Sequence, residues 1–388
     1  MKIWFPNPTR SKQETHGKHG NPNMTADTTL LLKLLRAELW NENVAEEISS
    51  QQFHSVMREA VKQAVPGLVA QCVCDKKARI GLTAEDAVRT LITLRQTEES
   101  NRLLNSELKS LCCLFRRHAV DYKVFKGQTL AKLYPHPLAR TPGDIDFYVP
   151  PYHFEKARNV LHEHWNADIK ESATDSLHTE FNHNGVIFEM HHEMAKFWHK
   201  DYQQKFNALV ANSPATYTVI DGTEISILSP ALNIAYTFAH LWYHLLELGI
   251  GMRQLCDLAL LISCTFGEGN NEEARNIAGQ LKEMLLQLGL FDAFCAITGM
   301  LKTYFGLKTI PFENHKPRYD KPLMRRIGRY GNFGKYGRTA QRGQLKFYIA
   351  LTFERIRTFA CFYPLNKKEI LARATKELPS KIAEFFKH

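Results

Sequence analysis

The chain has 388 residues, of which 44% are hydrophobic and 23% charged, and it contains eight cysteines. This composition is typical of a globular protein of two or three compact units and excludes a disulfide-rich scaffold. No apolar run reaches the ~18–20 residues of a membrane-spanning helix, and no secretory signal is present, so we expect a cytoplasmic protein without a membrane span.

The formal net charge is +10, and its distribution along the chain is uneven. Residues 316–346 carry ten lysines and arginines against one acid, Asp320, which accounts for nearly the whole excess. Such a segment suits polyanions or phosphate groups. A solvated basic face explains the same composition equally well.

The N-terminal third is predicted to be helical. Residues 1–26 are polar and predict a disordered tail, and residues 27–117 predict a helical region. Apolar residues recur there at helical spacing, and Pro66-Gly67 interrupts them. The predicted helices are Leu30–Trp40, Phe53–Val65, a helix capped by Thr83 with Asp86 three residues on, and Leu103–Phe115.

Residues 118–228 change to a mixed α/β pattern. Asn184-Gly185 and Asp221-Gly222 each separate strand-like runs, and both residues of such pairs tolerate positive φ, so two hairpins are predicted. The other predicted elements are strand Tyr122–Phe125, a break at Lys126-Gly127, helix Gln128–Leu133, strand Ile145–Val149 and helix Phe154–Leu161.

Residues 229–388 are predicted to be helical again, starting at Ser229-Pro230, where proline suits the first helical position. The predicted helices are Ala231–Leu248, Arg253–Cys264, Glu272–Leu288 and a run from Gln344 onward. A basic loop covers 316–346. The sequence therefore predicts an α+β fold, in which a small mixed-sheet core is flanked by N-terminal and C-terminal helical regions.

Two carboxylates stand out at the start of the strand Ile145–Val149. Asp144 and Asp146 are two residues apart, so on a strand they point to the same face. Like charges on one face repel, and a divalent cation commonly relieves such repulsion. The alternative is that both are turn residues after Pro142-Gly143.

A third carboxylate, Glu189, lies among apolar residues on the return strand of the Asn184-Gly185 hairpin. An acid in such a place needs a partner. If this strand pairs beside Ile145–Val149, Glu189 joins the face of the two aspartates. Three carboxylates would then hold two Mg²⁺ ions roughly 3.5–4 Å apart. An acid on the surface of an edge strand is the alternative.

These residues stand in a longer set of motifs that resembles a known family, the uncharacterised nucleotidyltransferases of the DNA-polymerase-β-like superfamily. The resemblance extends over roughly residues 100–265. The motifs are Phe125-Lys126-Gly127, Leu133-Tyr134-Pro135, Arg140, Gly143-Asp144-Ile145-Asp146, Glu189-Met190-His191, Ala239-His240-Leu241 and the stretch from Gly251 to Asp257.

The resemblance implies a nucleotidyltransferase core that transfers NMP from an NTP, with ATP as the expected nucleotide. The acceptor would be a hydroxyl or phosphate group of a small molecule such as a sugar phosphate. Two Mg²⁺ ions would be held by catalytic Asp144, Asp146 and Glu189. Lys126, Gly127 and Arg140 are the implied nucleotide-binding residues. The implied lining of the substrate cleft is His191, His240, Arg253 and Asp257.

Two other functions are compatible with the sequence. The superfamily usually has a Gly-Ser pair where this chain has Lys126-Gly127-Gln128, which leaves open a non-catalytic nucleotide- or phosphate-binding protein. Aromatic residues within the basic segment 316–346 leave open an RNA-directed enzyme or binder. The sequence does not reveal the acceptor or the oligomeric state.

For the individual side chains, ordinary structural roles are the alternatives. Lys126 would be a strand-end lysine, Arg140 a surface residue, His240 a satisfied core histidine and Asp257 a helix N-terminal acid. Several histidines fall near the hairpin, but they complete no zinc motif and are expected to be exposed or hydrogen-bonded: His178, His183, His191, His192 and His199.

Overall fold

The computed structural model describes residues 25–169, 177–267, 271–334, 336 and 345–377. Most of the predicted tail, residues 1–24, lies outside these ranges. Ala26, which the tail prediction included, is the first residue of a helix. The central part of the basic segment, from 337 to 344, also lies outside the described residues.

The N-terminal region contains helices and one small sheet. The elements are α1 (Ala26–Trp40), α2 (Ser50–Lys62), α3 (Pro66–Cys74), α4 (Ala84–Arg117) and the parallel strands β1 (Val44–Ile48) and β2 (Ala78–Ile80). Pro66 does more than interrupt the preceding helix, because it is the first residue of α3, where a missing N–H costs nothing. The parallel pair β1–β2 was not predicted.

Helix α4 is the longest element of this region and begins where the sequence predicts. Thr83 Oγ1 accepts from the Asp86 backbone N–H at 3.1 Å, and Asp86 Oδ2 accepts from the Thr83 N–H at 3.2 Å, which completes a capping box. The predicted helix Leu103–Phe115 is not a separate element but the C-terminal half of α4.

A six-stranded mixed sheet forms the centre of the molecule. Its strands are β3 (Lys123–Phe125), β4 (Ile145–Tyr148), β5 (His178–His183), β6 (Val186–His191), β7 (Thr216–Ile220) and β8 (Thr223–Ile227). The spatial order is β5-β6-β4-β3-β8-β7, with β4–β6 and β3–β8 parallel and the other pairs antiparallel. Both predicted hairpins are confirmed, with φ of 50° and 83° at Asn184 and Gly185.

One face of this sheet is buried in an apolar core. Helices α4 and α6 (Pro151–Trp165) cover it, so alternate strand residues on that side are hydrophobic. The core includes Leu104, Leu108, Leu111 and Phe115 of α4, Ala157, Val160 and Leu161 of α6, and Val124, Ile145, Phe147, Phe181, Phe188 and Met190 of the sheet. Polar residues of the same strands therefore point to the opposite face.

The opposite face of the sheet meets the second half of the chain, which is mainly helical. The ring of Tyr236 on α8 (Pro230–Glu247) lies 5.0 Å from that of Phe125 at the end of β3. The helices outside the N-terminal region are α5 (Gly127–Ala131), α6, α7 (Lys200–Ala211), α8 (Pro230–Glu247), α9 (Met252–Phe266), α10 (Glu272–Gln287), α11 (Phe291–Met300), α12 (Asp320–Tyr330), α13 (Leu345–Phe362) and α14 (Lys367–Ala372).

The α+β fold class predicted from the sequence is confirmed. Helices α7, α11 and α12 were not predicted, and α12 occupies part of the predicted basic loop 316–346. Within the described part of the chain, none of the helices combines the length and the apolar character that a bilayer crossing requires.

Candidate active site

A row of three carboxylates crosses the sheet on the face that α4 and α6 leave uncovered. Asp146 on β4 is the direct partner of Glu189 on β6, and Glu189 is the direct partner of Glu180 on β5. Directly paired residues point to the same face of a sheet, so the three side chains stand side by side. Because β6 lies between β5 and β4, the edge-strand alternative for Glu189 is wrong.

Asp144 precedes β4, two residues before Asp146. Its side chain is half-buried, and among the described residues no hydrogen bond or ion pair engages its carboxylate. Its backbone carbonyl would lie 3.3 Å from a Cβ at Gly127, so the Lys126-Gly127 turn packs closely against the Asp144 backbone. Gly127 has φ of 42°, a conformation in which glycine avoids the strain of a side chain.

Lys126 forms the main cationic contact of the site. Its Nζ lies 3.0 Å from Asp146 Oδ1, and the two side chains are only 17% and 4% exposed. Burial lowers the pKa of Lys126, but the charge and hydrogen bond of Asp146, together with Tyr236 and Asp144, raise it above its ordinary value. Burial raises the pKa of Asp146, yet the Lys126 charge and the His191 hydrogen bond hold it far below its usual range.

Lys126 is also conformationally unusual. It has φ of 55° and ψ of −148°, a region that non-glycine residues rarely adopt. This backbone turns its ammonium toward Asp146 and over the rings of Phe125 and Tyr236, whose centroids lie 5.3 and 5.6 Å from Nζ. The alternative of an ordinary exposed strand-end lysine does not describe this geometry.

Two histidines accompany Glu189 on the same face. His191 Nε2 lies 3.1 Å from Asp146 Oδ1 and 3.4 Å from Glu189 Oε2. His178, the direct partner of His191 across β5–β6, has its Nε2 3.7 Å from Glu189 Oε1. Burial lowers the pKa of His191, but hydrogen bonds to Asp146 and Glu189 raise it above its ordinary value.

Negative charge is crowded around Glu189. Burial raises the pKa of Glu189; the neighbouring charges of Asp146 and Asp144 also raise it, while the His191 hydrogen bond opposes the shift. Within the described ranges, neither lysine nor arginine forms an ion pair with Glu189. Carboxylate oxygens are the ligands that Mg²⁺ prefers, and a divalent cation would relieve this repulsion. Asp144, Asp146 and Glu189 are therefore of the ligand type that suits Mg²⁺, although among the described residues their oxygens do not form a group that lies within 4.8 Å of one another.

Arg140 and Asp257 form a buried ion pair beneath the loop that leads to Asp144. The guanidinium donates from Nε to Oδ1 at 2.7 Å and from Nη2 to Oδ2 at 2.9 Å, and Tyr134 donates to the same Oδ1 at 2.7 Å. Arg140 is 3% exposed, so it is not a surface residue. A direct contact with a nucleotide phosphate, as predicted for Arg140, would require this pair to open.

Arg253 holds the same loop from α9. Its Nη1 donates to the carbonyl oxygens of Thr141 and Pro142, both at 3.2 Å. Asp257 lies one turn further along this helix. Two of the four residues predicted to line a substrate cleft, Arg253 and Asp257, thus support the loop before Asp144, which ties the position of that carboxylate to α9.

His240 lies on α8 toward the Lys126 side of the site. Its ring is 4.4 Å from that of His244, one turn away. Burial lowers the pKa of His240 well below its ordinary value, and the Lys126 charge lowers it further. His240 therefore lies close enough to Lys126 for the ammonium charge to influence its pKa.

Sequence reasoning placed His178 among histidines without a site, and it overlooked Tyr236. The pairing within the hairpin was sufficient to predict that His178 lies opposite His191. Counting outward from the two-residue turn Asn184-Gly185 pairs position 178 with 191 and position 180 with 189. Tyr236 reaches the site through a contact between distant segments, for which the local sequence holds no signal.

Comparison with known proteins defines the class. The chain matches the family described as uncharacterised nucleotidyltransferase over residues 49–306, well over half of its length, and it belongs to that family. The resemblance stated from the motifs is thereby confirmed. A solved structure of an antigenic nucleotidyltransferase-like protein from Paracoccidioides brasiliensis is 13% identical, covers 53% of this chain and 93% of its own, and has a TM-score of 0.31. No curated protein matches the chain.

Proposed function

We propose that the protein is a Mg²⁺-dependent nucleotidyltransferase that transfers NMP from an NTP, with ATP as the expected donor, to a small-molecule hydroxyl or phosphate group. The observation that carries the proposal is the pairing of Asp146 with Glu189 on adjacent parallel strands. Asp144 stands directly before the first residue of β4. Membership of the family supports transfer of a nucleotidyl group as the reaction type.

Asp144, Asp146 and Glu189 are the residues that would hold the ions. Two Mg²⁺ ions bound by such carboxylates supply charge stabilisation for the attacking and leaving oxygens of a phosphoryl group. The Lys126–Asp146 pair is compatible with metal binding. In the metal-free protein the Lys126 ammonium compensates the Asp146 charge, and a bound divalent cation would take over that task. Lys126 is then placed to donate to a phosphate oxygen of the nucleotide.

Glu189 is the residue best suited to accept a proton from the acceptor hydroxyl. In the metal-free protein, burial and the neighbouring aspartates raise the pKa of Glu189, which favours proton acceptance by its carboxylate. His191 donates to the Asp146 carboxylate and contacts Glu189, so it fixes the relative orientation of the two acids. In this proposal His191 is a positioning residue.

The nucleotide phosphates would meet the backbone of the Lys126-Gly127 turn. The position that follows, Gln128, is buried, and its side-chain amide donates to Asn105 Oδ1 and to the Asn101 carbonyl of α4. Gln128 therefore does not substitute for the serine that the superfamily usually has. Phosphate recognition would rest on the backbone of Gly127 and on the Lys126 ammonium.

Calorimetric titration of ATP with Mg²⁺ tests this proposal. Wild type is expected to bind MgATP, and Asp144→Asn is expected to lose at least about tenfold in affinity, which corresponds to about 1.4 kcal/mol. Asp201→Asn changes an exposed aspartate on α7 and serves as the matched control, with affinity equal to wild type. Equal MgATP binding by wild type and Asp144→Asn contradicts the proposal.

A further inference from the structure

Three side chains near the carboxylate row form a group that resembles a metal-binding centre in its own right. The ligand-type atoms of His178, Glu189 and His191 all lie within 4.8 Å of one another. His178 and His191 are direct cross-strand partners, and Glu189 precedes His191 by two residues on the same face. Two rigid strands therefore hold the three ligands.

Two contacts of this group, each to a different oxygen of Glu189, are close in length to the edges of a metal coordination shell. Ligands about 2.0–2.1 Å from a tetrahedral ion lie roughly 3.3–3.5 Å from each other. The structure has 3.4 Å from His191 Nε2 to Glu189 Oε2 and 3.7 Å from His178 Nε2 to Glu189 Oε1. Because the three ligand-type atoms lie within 4.8 Å of one another, an ion would draw them closer together.

The buried ring of His191 makes its polar contacts within the active site. His191 is 4% exposed, and among the described residues its Nδ1 has no hydrogen-bond partner. Its polar contacts are made through Nε2, which faces Asp146 and Glu189. To ligate an ion, Nε2 would release the proton that it donates to Asp146, so metal binding would replace this hydrogen bond.

We propose that His178, Glu189 and His191 bind one divalent ion of the zinc or cobalt class. Imidazole nitrogen suits these ions, whereas Mg²⁺ strongly prefers oxygen ligands. Two imidazoles and one carboxylate leave a fourth position open for water or a substrate oxygen. This inference goes beyond the proposed nucleotide transfer and does not depend on it, although the two share Glu189.

A second cluster of similar composition shows what sets this group apart. Glu38, Asp75 and His136 also bring ligand-type atoms within 4.8 Å of one another. Lys77 already occupies that cluster, with its Nζ 2.9 Å from Glu38 Oε2 and 3.4 Å from Asp75 Oδ2. An ammonium thus neutralises those acids, whereas Glu189 faces histidines.

Titration of the metal-free wild-type protein with Co²⁺ tests the inference, because bound Co²⁺ reports its ligands by visible absorption. Wild type is expected to bind one Co²⁺ per chain with the bands of a low-coordinate, imidazole-ligated ion, and Zn²⁺ is expected to displace it. A wild-type protein that develops no such bands overturns the inference without any variant being needed.

Variants then assign the ligands. His178→Ala and His178→Gln are expected to weaken Co²⁺ binding at least as much as the about 10–100-fold that loss of an outer-shell partner costs. His192→Ala is the matched control, because His192 is exposed, adjacent to His191 and outside the cluster. Equal Co²⁺ affinity of His178→Ala and wild type, or an equal loss in His192→Ala, contradicts the assignment.

Asp144→Asn separates this inference from the proposed transfer reaction. Asp144 is not part of the His178–Glu189–His191 group, so this variant is expected to bind Co²⁺ as wild type does. Loss of MgATP binding with intact Co²⁺ binding supports both proposals. Wild-type protein that binds Co²⁺ but no MgATP overturns the transferase proposal alone, and the reverse result overturns only the inference about the histidines.

Discussion

Lys126 and Asp146 form a buried ion pair, with 3.0 Å between Nζ and Oδ1, at the β4 end of the carboxylate row. Lys126 keeps this contact with a backbone conformation that few non-glycine residues adopt. His191 donates to the same oxygen of Asp146. The Asp146 carboxylate therefore accepts from both Lys126 and His191, while Asp144 and Glu189 add negative charge nearby.

Removal of the Asp146 charge should destabilise the protein. Asp146→Asn leaves the Lys126 ammonium buried without its counter-ion, and breaking a buried pair in this way costs about 3–5 kcal/mol. Because Lys126 is partly exposed, we expect about 3 kcal/mol, measured by urea unfolding in the presence of a chelator. The double variant Lys126→Met with Asp146→Asn is expected to recover most of this loss. Simple addition of the two single effects would contradict the pairing.

The Gly127 conformation should matter for both stability and nucleotide binding. Gly127→Ala places a Cβ at positive φ and 3.3 Å from the Asp144 carbonyl oxygen, so we expect about 1 kcal/mol of destabilisation and weaker MgATP binding. Gly279→Ala is the control, since Gly279 lies inside α10 with open space around it and alanine favours helix. Equal melting temperatures of wild type and Gly127→Ala would count against the strained turn.

Arg140 should act through the loop before Asp144. Arg140→Lys keeps the charge but loses the two-pronged bond to Asp257, so we expect a loss of about 1–3 kcal/mol in unfolding free energy. If Arg140 instead contacted the phosphates directly, Arg140→Lys would raise the dissociation constant for MgATP and leave stability unchanged. Calorimetry and urea unfolding on the same variant distinguish the two outcomes.

The cap of α4 should make stability depend on acid pH. Hydrogen bonds from His54, Thr83 and Ser50 hold the pKa of Asp86 well below its ordinary value of 3.8, with the His54 bond as the largest cause. A carboxyl with a depressed pKa stabilises the fold above its unfolded pKa, and this contribution is lost as the pH falls below that value.

Melting curves between pH 6 and pH 2 check the Asp86 prediction. Asp86→Asn should melt below wild type at pH 6, and the difference should shrink as the pH falls below 3.8. Glu85→Gln, which changes the neighbouring exposed acid, is expected to keep the wild-type pH dependence. A difference between wild type and Asp86→Asn that stays constant across this range would exclude the mechanism.

Local sequence signals were sufficient to predict the β5–β6 hairpin and the position of Glu189 on it. The Asn184-Gly185 turn fixes which residues of β5 and β6 face each other, and the alternation of side chains then places Glu189 on one face. The parallel pairing of β4 with β6 required an assumption, because pairing between distant strands is decided by the packing of the whole sheet. With that assumption, Asp146 and Glu189 were correctly expected on one face.

The continuity of α4 could not be inferred because its middle is polar. Thr97 and Asn101 are buried there, and the Asn101 amide donates to the carbonyl oxygens of Leu138 and Arg140, both at 2.8 Å. A buried polar face of this kind gives no apolar period in the sequence. The same contacts hold the loop that leads to Asp144, so the missed segment of helix is also part of what positions the site.

The most direct test of the transferase assignment is transfer of an α-phosphate label from ATP in the presence of Mg²⁺ to a panel of sugar-phosphate and other hydroxyl-bearing acceptors. Wild type and Asp201→Asn should both move the label, while Asp144→Asn should fall at least about 100-fold, as losses of key electrostatic groups in active sites do. Label transfer by Asp144→Asn at the wild-type rate, or no transfer by wild type to any acceptor despite MgATP binding, would contradict the account.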